Sequence, residues 1–457
     1  MKTERRKKYF FIGVGGIGMS ALALLLKEEG ADVLGIDSQS SFYLEELKKK
    51  GIQIVEKADD VLWETIDEVI YTSAVRKDEP ALKAARQRNI PACKRGDKLN
   101  LLMKESHYAI AVTGTHGKTT TAALLAHIFI HSGCGVQAYA GGILKNYGSN
   151  YVQTGKDYFI AEVDESDGTI QGCRPHIAVV TNLEHEHVDR YSGFKDLVST
   201  LQVFLSGLSR KEKIVYRKED AVLEKLAGKT DAEKIVVCEG KRHPSSVQAM
   251  WDEEKFSGRI VLPDGYKMDL TCESLMGKHN LENSALAVAC AWSCGIAPEK
   301  ITSGLQSFKG VKRRFETICQ SPEGIRFVSD YAHHPTEVKK VLSLARGCCG
   351  EGKVCAVFQP HRITRCEFFF DQFIESLKEA DRVIVTEIYL AGESGDAFRL
   401  PVKIAEKLSK KDQRKAMFVP LKELNGVLSG LRSDVSLVVF MGAGSIDHLA
   451  REFCRSL

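Results

Sequence analysis

Short apolar runs alternate with segments of helical spacing along most of the chain. From residue 8, KYFFIGVG runs into a glycine turn, and GIGMSALALLLKEEG follows with helical periodicity and a closing glycine. ADVLGID, IQIVE and DEVIYTSA are further strands, separated by FYLEELKKKG and TSAVRKDEPALKAARQRN. Such alternation predicts a parallel sheet covered by helices. The pattern restarts at HYAIAVTGTHGKTTTAALLAHIFIHSG and continues through KDYFIAEVDES, HIAVVTN and EKIVYR. Around residues 235–275 it changes: SVQAMWDEEKFSGRIVLPDGYKMDLTC reads as hairpins, with PDG as a turn. GKHNLENSALAVACAWSCG then returns to helix. A third start follows GVKRRFE, with strands IRFVSDY, VCAVFQP, DRVIVTEIY, AMFVP and SLVVFMGAG. The expectation is an α/β protein of three domains, at 1–105, 106–314 and 315–457, with the β-rich section in the second.

Composition narrows the class. The 457 residues carry 64 Lys+Arg against 60 Asp+Glu, a net charge of +4, too balanced to imply nucleic-acid binding. No apolar run reaches the ~18 residues of a membrane span, and MKTERRKK reads as a solvated tail rather than a signal peptide. The 13 cysteines include no C-x-x-C pair, which predicts reduced, mostly buried thiols in a cytoplasmic protein and no zinc site.

The chemistry sits where strands end. AVTGTHGKTTT, residues 111–121, resembles a phosphate loop except that Val112 stands where the common pattern has glycine. It still supplies a glycine turn, a helix start and Lys118, the three things a phosphate group needs. GVGGIGMS matches G-x-G-x-x-G at Gly13, Gly15 and Gly18, with Asp37 at the end of the next strand. That pattern suits a dinucleotide, the diphosphate of a UDP-sugar, or a turn with no ligand. AEVDESDG and TNLEHEHVDRY place Glu165 and His187 after two central strands, where they can converge on Lys118 and suit Mg²⁺ or Mn²⁺ beside phosphates. DYAHHPTE and FQPHRITR gather histidines with Arg362 and Arg365, suited to carboxylates and phosphates.

In order, GVGGIGMS, GTHGKTTT, DESD, NLEHEH, GKHNLEN, KRRFE, DYAHHPTE, FQPHRITR and MGAG resemble the Mur ligases over nearly the whole chain. In that family the ATP loop is written G-T-x-G-K-T/S, so Val112 is no defect. The resemblance implies an N-terminal Rossmann-like UDP-binding domain, a central P-loop-type ATPase and a C-terminal Rossmann-like domain that brings the amino acid. It implies an ATP-dependent cytoplasmic ligase of peptidoglycan synthesis, joining L-alanine to UDP-N-acetylmuramate through an acyl phosphate. ATP would be held by Gly114, Thr115, His116, Gly117, Lys118, Thr119 and Thr120, with Asn283 on the adenine and Arg314 and Asp330 closing the site. Thr119 and Glu165 would hold one Mg²⁺, and Glu165 and His187 a second. His279, Tyr331, His333, Arg362 and Arg365 would line the alanine pocket; Gly15, Gly16, Gly18 and Ser73 would lie near the UDP moiety. His333 would also belong to the catalytic set.

The chain departs from the family pattern at Glu186-His187, at Ser329-Asp330-Tyr331 and at Gly442-Ala443-Gly444-Ser445. No carbamylated lysine is expected, and monomer and dimer are both compatible with the sequence. Three rival readings remain: an NAD-dependent dehydrogenase, a non-catalytic nucleotide binder, and the related ligase that adds a whole tripeptide. The first leaves the GKT loop, HEH and HRITR without a role.

Overall fold

In the computed structural model, residues 5–38, 42–76, 78–165, 167–184, 191, 193–240, 245–412, 415–431 and 435–457 are described. Their strands form three sheets. The first is all parallel, in the order Gln53–Val55, Asp32–Ile36, Lys8–Ile12, Glu68–Tyr71, Ala92–Lys94. Neighbours Phe10 and Phe11 face opposite sides of this sheet and both are fully buried, so the strand reads as an unbroken apolar run. The order winds outward both ways from the first strand, which opens a crevice at the carboxyl ends. The helix Ile17–Glu28 leaves directly from that crevice.

The central sheet has ten strands. Its middle pairs Ala109–Thr113 in parallel with Tyr158–Glu162 on one side and Ile177–Val180 on the other. Lys213–Arg217, Glu233–Glu239 and Val247–Asp252 continue the parallel order, and Ser257–Val261 and Lys267–Leu270 then add antiparallel pairings. These are the hairpins expected around 235–275, and they extend the same sheet. The other end carries a hairpin that the apolar pattern does not reveal, Val136–Leu144 with Ser149–Gln153. Two glycines interrupt its first strand. A Cβ on Gly141 would overlap the Glu162 carboxylate, and one on Gly142 would press on Thr119 and Val311. The helices Lys118–His131 and Lys278–Ser293 pack together against this sheet.

The third sheet runs Glu316–Gln320, Arg326–Asp330, Val435–Met441, Lys353–Phe358, Arg382–Val385, Lys415–Phe418, parallel except for the first edge strand. Asp330 and Phe358 both register with Met441, so three strand ends meet in one crevice.

The cysteine expectation is corrected here. Cys319 on the edge strand and Cys454 in the last helix, Ile446–Ser456, form a disulfide with Cα atoms 6.0 Å apart across 135 residues of sequence. Packing of the last helix on the edge strand brings them within bridging reach, and no spacing in the chain announces it. The other eleven cysteines are free thiols. Among the described residues, no helix is long and apolar enough to cross a membrane.

Candidate active site

The phosphate loop follows the buried strand Ala109–Thr113. Gly114 (φ +119°) and Gly117 (φ +83°) adopt angles that L side chains avoid. A Cβ on Gly114 would strike Thr181 and the backbone of Asn182; one on Gly117 would strike the side chain of Asn283. The loop is tied to its neighbour strand by Thr115 N–H to Asn182 O at 2.9 Å and His116 N–H to Asn182 Oδ1 at 2.9 Å. Thr119 and Thr120 are buried in the first turn of the helix.

Lys118 Nζ donates to Gly114 O (2.6 Å), Thr115 O (3.1 Å) and Glu165 Oε1 (3.0 Å). Burial works against its charge, but Glu165, with Asp164 and Glu162, raises its pKa above the ordinary lysine value.

The structure brings Glu165 to Lys118, as its place after the strand predicts, and sets a second glutamate against Thr119. Glu165 pairs with Lys118, whereas it is Glu162 whose Oε1 accepts the Thr119 hydroxyl at 3.1 Å. Glu162 Oε2 accepts the Gly141 N–H at 2.7 Å, and burial raises its pKa in spite of Lys118. Glu162 was not a candidate from the sequence, because an acid closing an apolar strand reads as its solvated end. The register Val112↔Glu162 sets it beside the loop. His187 lies outside the described residues.

Residues of the third unit, and of the junction that leads into it, reach this loop. Arg314 Nη2 donates to Thr119 Oγ1 at 3.4 Å, across 195 positions of sequence. Arg313 and Arg314 both lie over the Tyr331 ring, at 4.7 and 5.3 Å from its centroid. Arg313 (φ +59°) and Phe315 (φ +44°) flank Arg314 in the left-handed region. Asp330 accepts N–H groups of Phe315 and Ala332, each at 2.7 Å, and burial lifts its pKa to about 6. His116 lies 3.2 Å from Glu337 and 3.5 Å from Glu184, and the Thr336 hydroxyl donates to Glu184 at 2.7 Å. Burial would raise the Glu337 carboxyl, yet His333 and His116 hold it well below the carboxylate range.

Behind this seam, His333 Nδ1 lies 3.0 Å from Tyr331 O, and its ring stands 5.7 Å from that of His361. Arg365 Nη1 is 3.1 Å from His361 Nδ1, and Arg362 caps the helix Ile363–Phe368. Glu393 fixes that helix start by accepting from Ile363 N–H (2.6 Å) and the Thr364 hydroxyl (2.6 Å). Tyr331, His333, Arg362 and Arg365 therefore share one wall with His361 of the same FQPHRITR segment, to which the structure adds Glu393.

His279 opens the helix Lys278–Ser293 within the fields of Arg314, Lys340 and Glu337. Burial first, then Lys340 and Arg314, push its pKa from 6.5 to about 4. The folded ring stays neutral while the unfolded chain binds a proton first. The stability it contributes is complete above 6.5 and is lost as pH falls toward 4. His279→Gln is expected to flatten the fall of the urea midpoint over that window; parallel curves for the two proteins would contradict this.

The glycine turn of the first unit is a separate site. Gly15 N–H donates to Asp37 Oδ2 at 2.8 Å, so this acid props the turn from beneath. Gly13 (φ +81°) leaves no room for a Cβ beside Thr72, which brings the exposed Ser73 to the same rim. Gly16 precedes the helix Ile17–Glu28, and Gly18 lies in its first turn.

Family models describe the same three units. "Mur ligase family, catalytic domain" matches residues 8–107, "Mur ligase middle domain" 112–291, and "Mur ligase, glutamate ligase domain" 313–444. The chain belongs to the Mur ligase family. Among curated Mur ligases, it is 35% identical to the UDP-N-acetylmuramate–L-alanine ligase of Phenylobacterium zucineum, over 96% of this chain and 93% of that one. It is 33% identical to the enzyme of that name from Aquifex aeolicus, over 100% and 99% of the two chains. The crystal structure of UDP-N-acetylmuramate–alanine ligase from Thermotoga maritima superposes with a TM-score of 0.82 at 29% identity, covering 98% of each chain. A murein peptide ligase from Psychrobacter arcticus shares the fold, with a TM-score of 0.74 at 20% identity.

Proposed function

We propose that this Mur ligase joins L-alanine to the lactyl carboxylate of UDP-N-acetylmuramate, converting ATP to ADP and phosphate, in peptidoglycan synthesis. The observation that carries the reading is the seam itself. A phosphate loop and a wall of His and Arg from another sheet face each other through Arg314, Thr119, His116 and Glu337. The full-length likeness to enzymes named for this reaction supports the choice of substrates.

The chemistry divides among the units. Residues 1–105 would hold the sugar nucleotide, with Gly15, Gly16, Gly18 and Ser73 near its UDP part. Residues 106–314 would hold ATP, with Lys118 on the β- and γ-phosphates and Asn283, beside Gly117, toward the adenine. Residues 315–457 would present alanine, its carboxylate against Arg362 and Arg365. A lactyl oxygen attacks the γ-phosphorus and ADP departs. The alanine nitrogen then attacks the acyl carbon, and the tetrahedral adduct expels phosphate as the amide forms. Positioning and charge neutralisation account for most of what the protein contributes.

The donor set beside Lys118 fits a hard divalent cation, since the half-buried Glu162 carboxylate and the Thr119 hydroxyl already converge. Glu162 and Thr119 would hold Mg²⁺ there, with Glu165 and His187 toward a second ion. A bound Mg²⁺ would supply charge stabilisation for the transferring phosphoryl group.

Phosphate release with UDP-N-acetylmuramate, ATP and, in turn, alanine, glycine, serine or the stem tripeptide tests the reading. Alanine is expected to give the highest kcat/KM. Preference for the tripeptide would replace this reading with that of the peptide-adding ligase, and phosphate release independent of both acceptors would remove it.

A further inference from the structure

Arg95 begins the helix Arg95–Glu105 of the first unit, yet its partners belong to the second. One end of the guanidinium pairs with Asp167, and Nη1 donates to Tyr139 Oη at 2.5 Å. Tyr139, 2% exposed, donates its own hydroxyl hydrogen bond to Gly18 O at 2.8 Å. Gly18 has no space for a side chain: a Cβ would meet Tyr139 Oη and Arg95 Nη1. Asn150 Nδ2 grips the same helix start, donating to Ile17 O at 2.7 Å and Ser20 Oγ at 2.9 Å.

The far end of this chain of contacts is as closely fitted. Asp167 Oδ1 accepts the Thr169 N–H at 2.9 Å, Thr169 O accepts from Asn100 Nδ2 at 2.7 Å, and Gly96 abuts Thr169 too closely for a Cβ. Two residues before Asp167, Glu165 holds Lys118. A continuous polar path thus runs from the glycine turn through Tyr139, Arg95 and Asp167 to the loop that carries the partner of the phosphate-loop lysine.

An ion pair whose side chains are only 14% and 12% exposed contributes little net stability, because desolvation offsets the attraction. What this arrangement specifies is position. Lys118 gives one of its three hydrogen bonds to Glu165, and the loop bearing Glu165 also carries Asp167. We propose that Arg95, Asp167 and Tyr139 are positioning residues that couple occupancy of the glycine turn to occupancy of the phosphate loop. The inference rests on the reading of the glycine turn as the sugar-nucleotide site. By linkage, each ligand then strengthens binding of the other by the same factor.

Titration calorimetry of the full-length protein tests it, with UDP-N-acetylmuramate added in the presence and absence of magnesium AMP-PNP. The wild-type protein is expected to bind the sugar nucleotide about fivefold or more tightly with the analogue present. In Asp167→Asn and in Tyr139→Phe that ratio should fall to about one, with the affinity for the analogue alone unchanged, and Asp167→Glu should restore most of it. A purely structural role would lower thermal stability and both affinities but leave the ratio intact, which would overturn the proposal. A wild-type ratio of about one would do the same. If the wild-type protein bound no UDP-N-acetylmuramate at all, the ligase reading would fall and this inference with it; binding without coupling would remove the inference alone.

Discussion

Lys118→Ala is expected to lower turnover by ~10²–10³, while affinity for UDP-N-acetylmuramate stays within about twofold of wild type. The ammonium is the cation of the loop, donating to two loop carbonyls and to Glu165. Phosphate oxygens carried by the loop would offer the lysine acceptors in place of these. Removing it deletes a charge that acts on the transferring phosphoryl group, a loss of ~3–4 kcal/mol by analogy with other preorganised electrostatic donors. On the proposed reading the sugar nucleotide binds in another unit, against a turn that Lys118 does not touch, so its binding should be spared. Phosphate release and calorimetry on one preparation separate the two. Turnover within about a tenth of wild type, a change below ~1.4 kcal/mol, would show that Lys118 does not serve the transfer.

Glu162→Gln should raise the Mg²⁺ concentration for half-maximal activity by about tenfold and lower kcat by ~10² at saturation. The amide keeps the size of the carboxylate and removes its charge. Glu165→Gln is the control. That carboxylate is bonded to Lys118, whereas the Thr119 hydroxyl is on Glu162, so its loss should act mainly through kcat and shift the Mg²⁺ curve less than Glu162→Gln does. A shifted curve in Glu165→Gln beside an unshifted one in Glu162→Gln would assign the ion to Glu165.

These two glutamates mark how far the sequence can be read. The phosphate loop is legible because its chemistry is local: glycines at left-handed positions, a lysine and a helix start lie within a few residues. The parallel sheets are legible because strands buried on both faces read as unbroken apolar runs, as at Phe10 and Phe11. Glu162 is not legible, because its place depends on the register of one strand against another 50 positions away, Val112↔Glu162. Glu393 escapes for the same reason, since only the packing of the unit brings it to Ile363, 30 positions away. The Cys319–Cys454 bridge is a contact between the two ends of a unit and leaves no local mark. The hairpin Val136–Leu144 is hidden by glycines that exist to clear space beside Thr119 and Glu162.

The junction at 313–315 has a consequence for the timing of the catalytic cycle. Two residues with side chains hold left-handed backbone angles on either side of Arg314, a conformation that costs roughly 1–2 kcal/mol per residue. Arg313 Nη2 to Gly442 O at 2.6 Å, Phe315 N–H to Asp330 at 2.7 Å and Tyr331 N–H to Arg313 O at 2.8 Å hold them there. The backbone therefore pulls against the contacts that set Arg314 on the phosphate loop. Once chemistry has replaced substrates by products that grip those contacts less, the chain itself favours letting go. Glycine at 315 would ease that bias while leaving the Arg313–Gly442 bond in place, and the step to slow would be product departure rather than bond formation.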